Sequence, residues 1–114
     1  MTTTEIGRKA ESVAADFLVR KGCTIVDRNW RTRWCEVDVI AARDNVVFLC
    51  EVKYRRRSTQ GTGVEYITAG KLHQMQFAAH FWTASHNWQG ECQLCAIEVS
   101  GDDFRITGVF KDVI

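Results

Sequence analysis

From about Thr4 to Lys21, the residues Ile6, Ala10, Val13, Ala14 and Phe17 recur at helical spacing, one apolar stripe on an otherwise polar segment. The pattern predicts an amphipathic helix that ends at Gly22. The period then changes to two. Thr24 to Trp30 is rich in β-formers, and Arg33 to Ala42 alternates Cys35, Val37 and Val39 against Glu36, Asp38 and Ile40. Val46 to Tyr54 sets Val46, Phe48, Cys50, Val52 and Tyr54 against Val47, Leu49, Glu51 and Lys53, so its second face begins apolar and ends charged. Asp44-Asn45 supplies a turn between the second and third strands. Arg55 to Tyr66 reads as a loop, longer than most connections in a compact domain. From an N-cap at Thr68, the residues Leu72, Met75, Ala79, Trp82 and His86 mark one stripe of a second helix. Phe77, Phe81 and Ala84 mark another, nearly opposite, so this helix is apolar on two sides: it is either sandwiched or engaged in an oligomer contact. Cys92 to Val99 and Phe104 to Phe110 are two further strands, joined by a hairpin at Ser100-Gly101-Asp102-Asp103.

The element order is α-β-β-β-α-β-β. Three short-linked strands suggest an antiparallel meander, and the second helix serves as a crossover to a parallel strand. The expected class is α/β: an αβββαβ core with a mixed central sheet flanked by helices, plus an extra C-terminal strand. Residues 1–114 are read as a single domain, since 114 residues leave no room for a second full-sized one. Proline is absent, so glycines and polar caps must end the elements.

Composition adds bounds. Hydrophobic residues make up 46% and charged residues 25%, which fits a packed globular chain. The longest strictly apolar run is Val46 to Cys50, and the start MTTTEIGRK has no apolar signal-peptide centre, so the expectation is a cytoplasmic protein with no membrane partner. The net charge of +1 taken alone argues against a nucleic-acid partner. It conceals two halves of opposite sign: residues 1–57 carry 12 Lys and Arg against 8 Asp and Glu, and the remainder 3 against 6. Arg28, Arg31 and Arg33 form one basic cluster and Arg55, Arg56 and Arg57 a second, so a polyanion fits if the fold unites them; otherwise they are solvated surface. Five cysteines without a secretion signal point to reduced thiols. Cys92 and Cys95 form a lone CxxC whose side chains would face opposite ways in a strand, and a structural zinc site needs four ligands.

The chemistry concentrates in Glu36, Asp38, Glu51 and Lys53. Adjacent strands can gather three carboxylates and one ammonium at one sheet edge. Mg²⁺ or Mn²⁺ takes oxygen ligands and Mg²⁺ keeps several waters, so two carboxylates with the backbone carbonyl of Val52 suffice. Such an ion acidifies a bound water and polarises a phosphoryl oxygen. Lys53 would position the nucleophile or neutralise the transition state. The bland alternative for this spacing is charges at strand ends, salt-bridged or solvated. Glu11 lies at the rim of the first helix's stripe, from which it could reach toward Asp38. Lys71 and Gln74 open the second helix and could contact phosphate or water; the alternative for each is a solvated polar residue. Trp30, Trp34, Trp82 and Trp88 could stack bases, with core packing the default for Trp30 and Trp82. His73, His80 and His86 are assigned no metal.

Gly7-Arg8-Lys9-Ala10-Glu11, Ala14-Ala15-Asp16-Phe17-Leu18, Arg28-Asn29-Trp30-Arg31, Glu36-Val37-Asp38-Val39-Ile40-Ala41, Val47-Phe48-Leu49-Cys50-Glu51-Val52-Lys53 and Thr68-Ala69-Gly70-Lys71 follow one another in order. These blocks resemble the YraN-like family of the restriction-endonuclease-like PD-(D/E)XK nuclease superfamily, which is similar to archaeal Holliday-junction resolvases. The resemblance spans roughly residues 5 to 75. It implies metal ligands at Asp38 and Glu51, a catalytic Lys53 and a helix-borne carboxylate at Glu11, with Glu36 as an extra acid. The chain departs from that pattern where Trp34 and Cys35 stand in place of small glycines, and at Ala10, Ala69 and Tyr54; no implied ligand is lost. The expected function is a metal-dependent endonuclease that hydrolyses DNA phosphodiester bonds, at branched or single-stranded structures. Arg31, Arg33, Arg55, Arg56, Arg57 and Lys71 would hold the backbone. The alternatives are a catalytically silent nucleic-acid-binding module, or a homodimeric interaction module that uses Phe77 and Phe81 of the second helix.

Overall fold

Thr2 caps the first helix reciprocally: its hydroxyl accepts from the Glu5 N–H at 3.1 Å, and its own N–H donates to the Glu5 carboxylate at 2.9 Å. In a computed structural model that describes residues 1–57 and 67–111, this cap opens α1 (Thr3–Arg20). The helix closes at Gly22, whose φ of +92° suits glycine. There the N–H groups of Cys23 and Gly22 donate to the carbonyls of Leu18 (2.9 Å) and Val19 (3.0 Å), so two helix-end carbonyls are satisfied.

The strands follow as β1 (Thr24–Arg31), β2 (Glu36–Arg43) and β3 (Val46–Arg55), then α2 (Ala69–Ser85), β4 (Glu91–Ser100) and β5 (Arg105–Lys111). They lie in sequence order in one five-stranded sheet. The pairs β1·β2, β2·β3 and β4·β5 are antiparallel and β3·β4 is parallel, as the meander and helical crossover require. The expected loop between β3 and α2 falls mostly on residues 58–66, outside those described. Thr68 caps α2 by accepting from the Lys71 N–H at 3.0 Å.

Each helix covers one face. Ala10, Ala14, Ala15 and Leu18 of α1 pack on Val39, Ala41, Phe48, Cys50, Ile97 and Val99. Met75, Ala78 and Trp82 of α2 pack on Val37, Ile40, Val47, Leu49 and Leu94. The period of two in β3 is thus realised literally, Phe48 and Cys50 facing one helix and Val47 and Leu49 the other. Cys92 and Cys95 also go to opposite faces, and none of the five cysteines is in a disulfide. The second apolar side of α2 is real but half open: Phe81 packs near Trp30, with centroids 5.9 Å apart, while Phe77 is 44% exposed. Among the described residues no helix is long and apolar enough to cross a membrane.

The entry to β4 is tight. The Glu91 N–H donates to the Asn45 carbonyl at 2.8 Å, and a Cβ on Gly90 would collide with Asn45. Gly7, inside α1, has nothing near its missing Cβ. Gly90→Ala should therefore cost about 1–3 kcal/mol by overpacking, whereas Gly7→Ala should gain up to about 1 kcal/mol of helix propensity. Urea unfolding of the two variants checks the opposite signs.

Candidate metal and phosphoryl-transfer site

The β2·β3 ladder runs from Arg43↔Val46 to Val39↔Cys50 and stops there. Beyond it β2 continues against β1 (Trp30↔Val37, Arg31↔Glu36), while β3 continues against β4 (Glu51↔Ala96, Lys53↔Glu98). The sheet therefore splits, and Asp38 is the first residue past the fork. Its carboxylate accepts from the backbone N–H of Val52 at 2.8 Å, so a side chain serves a strand N–H beyond the end of the ladder.

The strict alternation expected in β2 does not hold through this point. Val37 packs on the α2 side and Val39 on the α1 side, although they are two residues apart. Opposite them, Arg28 pairs with Val39 and Trp30 with Val37, and Asn29 between has a φ of +53°. Both strands are kinked at one level by this left-handed residue, which Asn tolerates better than most. Glu36 and Asp38 consequently do not act as a pair. Glu36 is exposed and lies 3.6 Å from Arg31 on the neighbouring strand.

Three carboxylates interact at the fork. Glu51 is largely buried and its pKa rises to about 7, first because burial penalises its charge and then because Asp38 is negative and hydrogen-bonded to it; Lys71 opposes the rise. The Lys71 ammonium lies 2.9 Å from the Glu51 carboxylate and donates to Gln74 at 3.3 Å. Glu11 is also pushed up, by burial and then by Asp38, against a hydrogen bond from the Asn29 side chain and the charges of Arg28 and Arg31. Arg28 in turn donates to the Ser12 hydroxyl at 3.1 Å. The rim position of Glu11 thus does bring it within electrostatic reach of Asp38. Glu36, Val37, Leu49, Cys50, Glu51 and Met75 line the narrow cleft between the parted strands.

The remaining residues separate. Lys53 is exposed on β3 and makes no ion pair among the described residues. Val52 points its side chain into the α1-side core. Arg55 turns inward onto Glu98 at 2.9 Å, and Glu98, only 6% exposed, accepts from the Thr107 hydroxyl at 2.7 Å. Arg56 and Arg57 are exposed at the end of β3. Arg33 is exposed and lies over the Trp34 ring. Lys71 is drawn into the carboxylate cluster rather than left on the surface. Asn29, which holds Glu11 and bends β1, has no role in the sequence reading, although an Asn inside a strand is a signal for a left-handed residue.

Among the described residues no group of three or more His, Cys, Asp or Glu side chains is arranged to hold a metal ion. An all-oxygen pair such as Asp38 and Glu51 suits an ion that keeps its waters.

The raised pKa of Glu51 has a stability consequence. Its proton is held more tightly folded than unfolded, so its contribution is complete below the ordinary value of 4.5 and is lost as pH rises through about 7. With chelator present, stability should fall by on the order of 2 kcal/mol from about pH 5 to 8. Glu51→Gln should flatten that decline. Urea unfolding across this range checks it; an unchanged slope in the variant contradicts the assignment.

The match to the uncharacterised protein family UPF0102 covers residues 10–103. The chain is 40% identical to a UPF0102 protein of Kineococcus radiotolerans over 81 residues, 71% of this chain and 66% of that one. It is 39% identical to one of Renibacterium salmoninarum over 87 residues, 76% and 74% of the two chains. With one of Cytophaga hutchinsonii the identity is 31% over 100 residues, 88% of each. The matched span takes in Glu11, Asp38 and Glu51 and most of the chain: the chain belongs to UPF0102.

Proposed function

We propose that this protein is a metal-dependent phosphodiesterase of the restriction-endonuclease-like PD-(D/E)XK type, cutting DNA at the fork between β2 and β3. One observation carries the reading: Asp38, held by the Val52 N–H, meets a Glu51 whose charge is only half-settled near neutral pH. Two carboxylates brought into such conflict are stable only with a proton or a cation between them. Asp38 and Glu51 would hold Mg²⁺ or Mn²⁺, with the Val52 carbonyl as a further oxygen; the bound ion would acidify water and polarise phosphoryl oxygen.

The protein's own groups do the rest. Asp38 stays oriented because a backbone donor fixes one of its oxygens. Asn29, with Arg28 and Arg31 nearby, keeps Glu11 facing the fork. Lys53, exposed on β3 two residues past Glu51, is the ammonium available to orient an attacking water or offset charge that builds on the phosphate. Arg31, Arg33, Arg56 and Arg57 are exposed cations for neighbouring phosphates, whereas Arg55 must first leave Glu98. The second reading, a silent binding module, is favoured by one contact: Lys71 already neutralises Glu51. A cytoplasmic location accords with either reading.

Incubation with single-stranded, duplex and branched DNA in Mg²⁺ or Mn²⁺ separates the two. Hydrolysis is expected, reduced by about a hundredfold or more in both Asp38→Ala and Lys53→Ala. Binding with no cleavage of any substrate, or cleavage that survives Asp38→Ala, overturns the phosphodiesterase reading.

A further inference from the structure

The turn between β1 and β2 presents an indole to solvent and holds it there. The Thr32 hydroxyl accepts from the N–H groups of Trp34 (3.1 Å) and Cys35 (3.2 Å), and the Thr32 N–H donates to the Cys35 carbonyl at 2.8 Å. Trp34 is nevertheless 62% exposed. These three bonds order the backbone of the turn, and most of the large ring it carries stays in water. Across from it on α2 stands Phe77, and Trp34, Gly70, His73, Gln74 and Phe77 line an open groove of about 310 Å³. Phe81 backs both rings, its centroid 6.2 Å from Trp34 and 6.1 Å from Phe77. A Cβ on Gly70 would have only the Thr68 hydroxyl near it, at 4.0 Å, so the groove floor is open at that end.

Two arginines stand near these rings, one of them, Arg31, paired with the Glu36 carboxylate at 3.6 Å. The Arg33 guanidinium lies 6.0 Å from the Trp34 ring, Arg31 is two residues before it, and His73 is on the wall. The groove also adjoins the fork: Gln74 accepts from Lys71, which is paired with Glu51. Flat aromatic surface edged by cations is complementary to an unpaired nucleotide, whose base stacks while its phosphate meets the guanidinium.

We propose that Trp34 and Phe77 form a stacking site for an unpaired base of a DNA strand, which places the adjoining phosphate beside Glu51. The placement rests on the phosphodiesterase reading; the stacking site itself does not. It makes single-stranded or junction-flap DNA, rather than plain duplex, the preferred substrate class, because paired bases cannot enter the groove.

The test is equilibrium binding in EDTA, where no hydrolysis occurs, with a fluorescent single-stranded oligothymidylate and the full chain. An abasic strand of equal length and the variants Trp34→Ala, Trp34→Phe and Phe77→Ala complete the set. Affinity is expected to fall about tenfold for Trp34→Ala and for the abasic strand, and to be largely kept in Trp34→Phe. Circular dichroism checks that each variant is folded. Equal affinity for abasic and base-bearing strands, or binding indifferent to Trp34→Ala, overturns the stacking site. So does a concentration-dependent dimer that Trp34→Ala or Phe77→Ala dissolves, since a second copy then covers the groove. Base-dependent binding with no cleavage in Mg²⁺ retains the stacking site and removes only the phosphodiesterase reading.

Discussion

The hydrogen bond from the Val52 N–H to the Asp38 carboxylate is the contact on which the candidate site depends. Where the β2·β3 ladder ends at Val39↔Cys50, two strand edges would otherwise be left with unsatisfied backbone groups. Asp38 meets one of them, and in doing so it is fixed in the fork between the strands. Everything nearby responds to that fixed negative charge. Glu51 and Glu11 are both harder to ionise because of it, after burial. The compensating groups come from two elements: Asn29 and Arg28 from β1 and Lys71 from α2. A carboxylate trio of this kind opposes its own folding in the ionised state. Its persistence in a chain that places apolar residues well elsewhere is the physical reason to read it as a site.

The two helices hold the fork open from both sides. On one face the small residues Ala10, Ala14 and Ala15 let α1 sit close to the sheet, and that close approach brings Glu11 toward Asp38. On the other, Trp82 and Met75 seat α2 over Leu49 and Ile40, which sets the first turn of that helix, with Lys71, beside Glu51. Charge follows the same logic. The near-neutral total hides a basic first half, and several of its acids are committed to the fork rather than spread over the surface.

Much of this was legible in the residues. The stripe of α1, its glycine stop, the odd-even division of β3 and the cap at Thr68 are local patterns, and each appears in the structure within a residue or two. Asp38, Glu51 and Glu11 were legible as candidates, and they do interact. What was hidden depended on tertiary placement. A period of two carried mechanically through β2 puts Glu36 with Asp38, because the rule has no knowledge of the left-handed Asn29 across the ladder. Lys71 reads as a surface lysine because its partner is on another element. Arg55, Arg56 and Arg57 read as one cluster, yet the strand sends Arg55 inward to Glu98, whose nearness is set by the β3·β4 register alone.

Entry of a divalent cation into the fork is the central claim for this site. Crystals soaked in Mn²⁺ and measured at the manganese absorption edge should give an anomalous peak between Asp38 and Glu51, with oxygens at roughly 2.0–2.3 Å and the Lys71 ammonium moved away from Glu51. No peak in the fork, with Lys71 still on Glu51 at saturating Mn²⁺, would contradict it.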